Sequence, residues 1–553
     1  MKKYVLGIDF GTLSARALVA EIGTGRELAQ AEFDYPHAVM TEALPDGTPL
    51  PPDWALQHPD DYLLALETAA TRALAASGAD KSDVVGIGID FTSCTLIPVD
   101  AQGEPLCGKY PSDPHAYPML WKHHACQKQA DRITEIARDR GEAWLGRYGG
   151  KVSSEWMLPK ILQIIDEAPE LYDEAHRFID AGDWLVMKMT GSAVRNSCMA
   201  GYKAFWNKRD GNPTADFLRA CHPRLENLAR EKLNPVVPVG TRAGGLTAEM
   251  AERLALMPGT SVAAANIDAH VSLPAAGITD AGEMLMIMGT STCHILLGDE
   301  ERVVPGMCGA VEDGVIPGKI GYEAGQSCVG DHFEWFVRNC MPESYAREAE
   351  KRGLNAHEYL TGLAEALKPG ESGLIALDWW NGNRSVLVDA NLTGLILGMT
   401  LQTRPEEIYR ALIEATAFGT RVIVDAFEEN GVEIHKICAC GGIARKNPFI
   451  MQLYADVLRR EIRVARSAHS SALGSAMFGA VAAGSARGGY DDIREAAAEM
   501  GGTQPHVYRP LPRNSAVYDK LYAEYRRLHD YFGRGGSGAM SRLKEIRREQ
   551  KGE

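Results

Sequence analysis

The chain carries one short device twice. Gly7-Ile8-Asp9-Phe10-Gly11-Thr12-Leu13-Ser14 runs out of an apolar segment into Gly-Thr, passes a hydroxyl residue, and re-enters the apolar run Arg16-Ala17-Leu18-Val19. Met286-Ile287-Met288-Gly289-Thr290-Ser291-Thr292-Cys293 does the same and returns through His294-Ile295-Leu296-Leu297. Each predicts a β-hairpin. Glycine at the turn lets a phosphate approach the backbone, and unpaired N–H groups with Thr or Ser hydroxyls can hold its oxygens. One such turn is a common structural feature. Two, one in each half, constrain the chain to a pair of domains that grip one nucleotide between them. Gly11, Thr12 and Ser14 from the first turn, and Gly289, Thr290 and Ser291 from the second, are the candidate phosphate holders.

This duplication predicts an α/β protein of two ribonuclease H-like domains, the actin/hexokinase type of ATPase, with a central cleft. Asp9, ending the first strand, would then face the metal. At 553 residues the chain has room for two domains. The net charge of −15 implies no basic face, so nucleic acid is not an expected partner. An acidic protein that binds ATP must use local devices, backbone amides and a divalent cation, rather than its overall field. No apolar run approaches the roughly 18 residues of a membrane span. The eleven cysteines include no C-x-x-C pair. After Met1-Lys2-Lys3, Asp9 and Arg16 interrupt any leader-like run, so reduced thiols in a cytoplasm are expected.

Strand and helix signals alternate along most of the chain. Residues 59–77 carry an Ala/Leu stripe that stops at Gly78 and predict a helix. Val84–Phe91 predicts a strand that ends, again, in Gly-Ile-Asp-Phe. Helices are expected over 119–140 and 155–167. Residues 263–277 read as a strand leading into a helix. Pro405 opens a long helix that runs to about Glu429, and Asn447-Pro448 opens another. Ser470 is expected to cap a helix ending at Gly484. The expected division is 1–279 and 280–505 for the two domains, 506–532 for a C-terminal helix, and 533–553 for a flexible linker and tail.

Gly103 and Gly108-Lys109 have P-loop spacing, but Tyr110 replaces the Ser/Thr ligand and a Pro-rich stretch follows. Asp268 lies between an apolar strand and a small-residue helix. It can serve as a helix N-cap, as a general base that accepts an alcohol proton during phosphoryl transfer, or as both. Gly441-Gly442, with Lys446 and Asn447, follows a strand and opens a helix. It reads either as a plain turn or as a flat surface for adenine or ribose. His123 and His124 beside Trp121 offer two metal-ligand types, but helical neighbours point apart and cannot easily share one metal.

Gly394-x-Ile396-x-Gly398-Met399, seven residues, then Glu407-Ile408-x-x-Ala411-Leu412-Ile413-Glu414 matches at every position the C-terminal signature of the FGGY carbohydrate kinases. The chain resembles that family over about residues 4–505. Asp9, the two hairpins, the Asp268 segment and the Gly441-Gly442 turn fall in the family's order. Within the family, Asp90-Phe91-Thr92-Ser93-Cys94-Thr95, Gly201 to Trp206 and Gly321 to Ser327 resemble the branch that phosphorylates L-ribulose. The resemblance implies ATP and Mg²⁺, with transfer to the terminal hydroxyl of L-ribulose giving L-ribulose 5-phosphate in L-arabinose breakdown. It also implies Asp268 as base, with Ser93, Lys203, Asp268 and Glu323 lining the sugar pocket, and a homodimer as the assembly to expect. Trp121 is a further candidate wall of that pocket. Leu13 departs from the polar or acidic residue that related kinases often carry there. Two alternatives stay open at this point. One is a kinase of another ketopentose or pentitol (xylulose, D-ribulose, ribitol). The other is an actin-like nucleotide switch with no sugar chemistry.

Overall fold

The computed structural model describes residues 2–551. Two seven-stranded sheets organise it. The first is built from β1 (Tyr4–Phe10), β2 (Ser14–Glu21), β3 (Glu27–Asp34), β4 (Val84–Phe91), β5 (Arg242–Gly245), β6 (Ser261–Ala263) and β7 (Asn266–Ile267), in the order β3-β2-β1-β4-β6-β5 with β7 beside β4. The second contains β8 (Glu283–Met288), β9 (Thr292–Gly298), β10 (Gly309–Glu312), β11 (Ile320–Gln326), β12 (Lys436–Cys440), β13 (Ile462–Ala465) and β14 (Thr503–Tyr508), in the order β10-β11-β9-β8-β12-β13-β14. Each sheet opens with an antiparallel hairpin, β1–β2 or β8–β9, followed by a parallel crossover strand, β4 or β12, on the hairpin's other side. The duplication seen in two short turns therefore extends to whole sheets.

Side chains alternate across a strand, so register fixes which residues share a face. Gly7 pairs with Gly88 and Asp9 with Asp90. These four face the helix Ser470–Ala483. A Cβ at Gly7 would overlap the Ala472 carbonyl, and one at Gly88 the Ser475 carbonyl. Gly474 makes an equally close approach to the Val271 carbonyl on the helix Asp268–Ala275. Small residues thus bring two helices and a sheet to backbone contact beneath the cleft. The opposite face of β1 and β4 carries Phe10 and Phe91, stacked at 5.3 Å, with Tyr62 of the helix Pro59–Ser77 edge-on to Phe91 at 5.0 Å. The helix Ser470–Ala483 belongs by sequence to the second half yet packs on the first sheet.

A second core surrounds the other sheet and the helix Pro405–Glu429. A third apolar cluster, drawn mostly from residues 94–233, forms a lobe on the first domain beside the cleft. The expected helix over 119–140 begins only at Gln127. Residues 119–124 are instead held as a turn by the contacts described below. Ser470 is the first helical residue, with His469 at the capping position, so it does not cap that helix. Helix Pro512–Gly533 is followed by a turn and a further helix, Ala539–Lys551, whose Met540 is buried against the second core.

Candidate active site

Three neighbouring strands end at one place. β4 lies between β1 and β7, and their last residues put Asp9 level with Asp90, and Asp90 level with Asn266, two residues before Asp268. Asp90 is fully buried; its Oδ2 accepts from Ser475 Oγ at 2.5 Å, and its Oδ1 has no protein partner. Asp9 stands beside Asp90 in the strand register and lies 3.8 Å from Arg16. Burial raises both carboxyls above the usual carboxylate range, and the charge of Asp9 raises Asp90 further. Two carboxylates this close, one with an orphaned buried oxygen, form a donor set that suits a divalent cation.

Asp268 begins the helix Asp268–Ala275. Ile267, not Asp268, stands at the capping position, and the carboxylate takes the Ala269 N–H at 2.7 Å. The capping role is therefore not the one it performs. Its pKa is raised to about 7, first by burial and then by the charge of Asp9, with a smaller push from Glu323. Asp268 thus feels Asp9 as well as Glu323 and Lys203. A carboxylate tuned close to neutrality suits the acceptance of a proton at physiological pH.

Lys203 and Glu323 meet each other. Lys203 Nζ lies 2.7 and 2.9 Å from the two Glu323 oxygens, and both side chains are buried. The attraction of Glu323 outweighs burial and holds the lysine above its ordinary pKa; the lysine in turn holds Glu323 below the carboxylate range. His270 Nε2 stands 3.4 Å from Glu323, and burial pushes its pKa down to about 4. Neither His270 ring nitrogen makes a protein hydrogen bond, so donors and acceptors remain for a polyhydroxylated ligand. Arg384 approaches the same carboxylate and pairs with Glu155 at 3.3 Å. Ser93 is half-buried in the loop after β4, whose next residue, Cys94, contacts the Lys203 carbonyl through sulfur at 3.9 Å.

The two hairpin turns differ in what their side chains do. Gly289 and Thr290 are exposed, and a Cβ at Gly289 would meet only the Ser291 carbonyl, at 3.7 Å. Thr12 accepts from Trp121 Nε1 at 3.1 Å through its hydroxyl and from Gln57 Nε2 at 2.8 Å through its carbonyl. Trp121, expected to wall the sugar pocket, has its one polar atom committed to the first hairpin. Ser14 is buried and donates its hydroxyl to Glu32 at 2.7 Å, which leaves it no free hydroxyl for a phosphate. Gly441 adopts φ +92°, against the Met288 carbonyl, and Gly442 opens a short helix with space around it. Lys446 is exposed. Asn447 caps the next helix by accepting from Ile450 N at 3.0 Å, so its amide is structural.

Asp90 is absent from the residues expected at the site, and the one sequence signal for it is the repeated Gly-Ile-Asp-Phe at the end of β4. Arg384 and His270 had none. The histidines do point apart. His123 is buried on Gln163 at 2.8 Å and His124 faces Ser154 at 3.2 Å. They do so from a turn rather than a helix.

Comparisons with known proteins show the family and the fold. Models of the FGGY family of carbohydrate kinases match the chain, the N-terminal domain over residues 4–274 and the C-terminal domain over residues 284–483. A ribulokinase from Geobacillus thermodenitrificans is 56% identical over 547 residues, 98% of this chain and 97% of that protein. A ribulokinase from Bacillus licheniformis is 56% identical over 539 residues, covering 97% and 98%. Among solved structures, a gluconate kinase from Lactobacillus acidophilus superposes with a TM-score of 0.80 at 18% identity, covering 97% of this chain and 99% of that one, a likeness of fold alone.

Proposed function

Because this chain belongs to the FGGY family of carbohydrate kinases, we propose that it phosphorylates L-ribulose at the terminal hydroxyl with ATP, giving L-ribulose 5-phosphate in L-arabinose breakdown. The observation that carries the reading is where Asp268 stands: it follows β7 at the strand ends that carry Asp9 and Asp90, and His270 of its own helix lies 3.4 Å from Glu323, the partner of Lys203. A base needs that position, with a phosphoryl donor and an alcohol acceptor both within reach. The relatives named ribulokinase supply the sugar's identity. The actin-like switch and the other pentose acceptors are not favoured.

In this reading Asp268 accepts the hydroxyl proton as the oxygen attacks the γ-phosphorus. The bond from that phosphorus to the β,γ-bridging oxygen breaks, and ADP leaves. The Lys203–Glu323 pair, with His270 beside it, holds sugar hydroxyls and fixes which oxygen reaches Asp268. Asp9 and Asp90 would hold Mg²⁺, which neutralises charge on the triphosphate when bound. The backbone of the Gly11-Thr12 and Gly289-Thr290-Ser291 turns would cradle phosphates, and Gly441-Gly442 would underlie the nucleoside. Closure of the cleft would exclude water as a competing acceptor.

The reaction is proposed to take place in the cytoplasm. Eleven unpaired cysteines agree with that compartment, and no described helix is long and apolar enough to cross a membrane. A homodimer is proposed on the family likeness. Phosphorus and carbon NMR of the product formed from ATP and L-ribulose tests the reaction. Phosphate on the terminal carbon supports it; phosphate elsewhere, or ADP release independent of sugar, removes it.

A further inference from the structure

We propose that Lys160 is a positioning residue that sets the sugar-binding loop against the phosphate hairpin. This inference rests on the kinase reading above. Lys160 sits in the helix Met157–Glu167 and is completely buried. Its ammonium donates to the carbonyl oxygens of Cys94 at 2.5 Å, Leu120 at 2.9 Å and Met119 at 3.1 Å. An ammonium has three N–H donors, and all three are used. No carboxylate lies within ion-pair distance of it among the described residues, so this charge is held by backbone dipoles. A buried cation of that kind is costly unless fully hydrogen-bonded, and here it joins two segments, Cys94 on one and Met119-Leu120 on the other.

Each segment carries a candidate site residue. Cys94 follows Ser93, and its backbone sits at φ +59°, a left-handed conformation that a side chain disfavours. The Cys94 sulfur reaches the carbonyl of Lys203. Leu120 precedes Trp121, whose indole donates to Thr12 in the first hairpin. The segments are bridged to each other by Leu96 and Met119, which exchange backbone hydrogen bonds at 3.1 and 3.0 Å. One turn along the helix, Gln163 holds His123 at 2.8 Å and so anchors the far end of the second segment. The first segment is also tied to β1 directly, through Thr92 N to the Phe10 carbonyl at 3.1 Å. Lys160 therefore stands where the sugar side and the phosphate side of the cleft are set against one another, and it offsets the strain at Cys94.

The test compares wild type with Lys160→Met, which keeps the bulk and removes the donors, and Lys160→Gln, which keeps two N–H groups. KM for L-ribulose and for ATP are measured in each, with circular dichroism as the check on folding. The expected result for Lys160→Met is a rise in KM for L-ribulose of about tenfold or more, with KM for ATP moving less than about threefold. Lys160→Gln should move both the same way and less. Adding Cys94→Gly to Lys160→Met should recover at least about threefold of the lost sugar KM, because glycine accepts the left-handed backbone without the ammonium's hold. Sugar KM within about twofold of wild type in a folded Lys160→Met overturns the proposal. So does an equal rise for sugar and ATP that Cys94→Gly does not relieve, which marks a purely structural lysine. If Lys160→Met does not fold, Lys160→Gln with and without Cys94→Gly decides on the same criteria. Failure of the ribulose assignment would appear in wild type itself; the variants are then compared on whichever sugar of the panel drives ADP release.

Discussion

Replacing Asp268 by Asn should cost activity and add stability, with opposite signs from one cause. The Asp268 carboxyl is raised from 3.8 to about 7 in the folded protein, by burial and by Asp9. An acid raised in the folded state leaves the fold unpenalised below the unfolded value and penalised increasingly as pH climbs toward the folded one. Each unit of difference is about 1.4 kcal/mol, so the penalty is roughly 2 kcal/mol at pH 5.5 and roughly 4 kcal/mol at pH 8. An amide carries no charge and escapes it. Asp268→Asn should therefore be more stable than wild type, by a margin that widens between pH 5.5 and pH 8. Its kcat should fall by about 10²–10⁴-fold, since the amide cannot accept the proton, while ATP affinity is kept. Wild-type kcat/KM should rise with pH through an acidic limb centred near 7. Denaturant titrations at the two pH values and a coupled ADP assay read all of this. A variant that keeps about a third of wild-type kcat would show that Asp268 is not the base, and one less stable than wild type at pH 8 would show that its carboxyl is not penalised in the fold.

Gly289→Val should leave the protein folded, because a Cβ there makes only an ordinary contact with the Ser291 carbonyl at 3.7 Å, yet weaken a non-hydrolysable ATP analogue in calorimetry; unchanged affinity removes the second hairpin from the phosphate site. Lys203→Ala should raise KM for L-ribulose by about 10-fold or more and lower stability by about 3–5 kcal/mol, because it strands buried Glu323. The double variant Lys203→Ala/Glu323→Ala should be less destabilised than the sum of the singles; additive losses would deny the pair its coupling. Gly88→Ala should cost more than about 3 kcal/mol in chemical denaturation, since its methyl overlaps the Ser475 carbonyl, and a silent substitution would contradict the close helix–sheet contact.

What the sequence makes legible is local. The helix Pro59–Ser77 ends at a left-handed Gly78 as its pattern required, and Pro405 and Asn447-Pro448 start helices where expected. Both hairpins form. The first half of residues 119–140 misled because apolar spacing there serves a turn pinned by Lys160, Gln163 and Thr12, partners distant in the chain. The destination of the helix Ser470–Ala483 was also hidden. Its Gly and Ala residues announce close packing but not which sheet they meet. At the site, residues at strand ends were readable from motif position, whereas Arg384 sits in a loop with no periodicity to betray it. Ser14 looks free for a phosphate in sequence because Glu32, the partner that claims its hydroxyl, lies on a different strand.

The most direct test is a kcat/KM panel for ATP-dependent phosphorylation of L-ribulose, D-ribulose, xylulose, ribitol and glycerol by the full chain. ADP release should require sugar, and L-ribulose should give the highest kcat/KM of the set. A higher value for any other acceptor, or ADP release at the same rate without sugar, would contradict it.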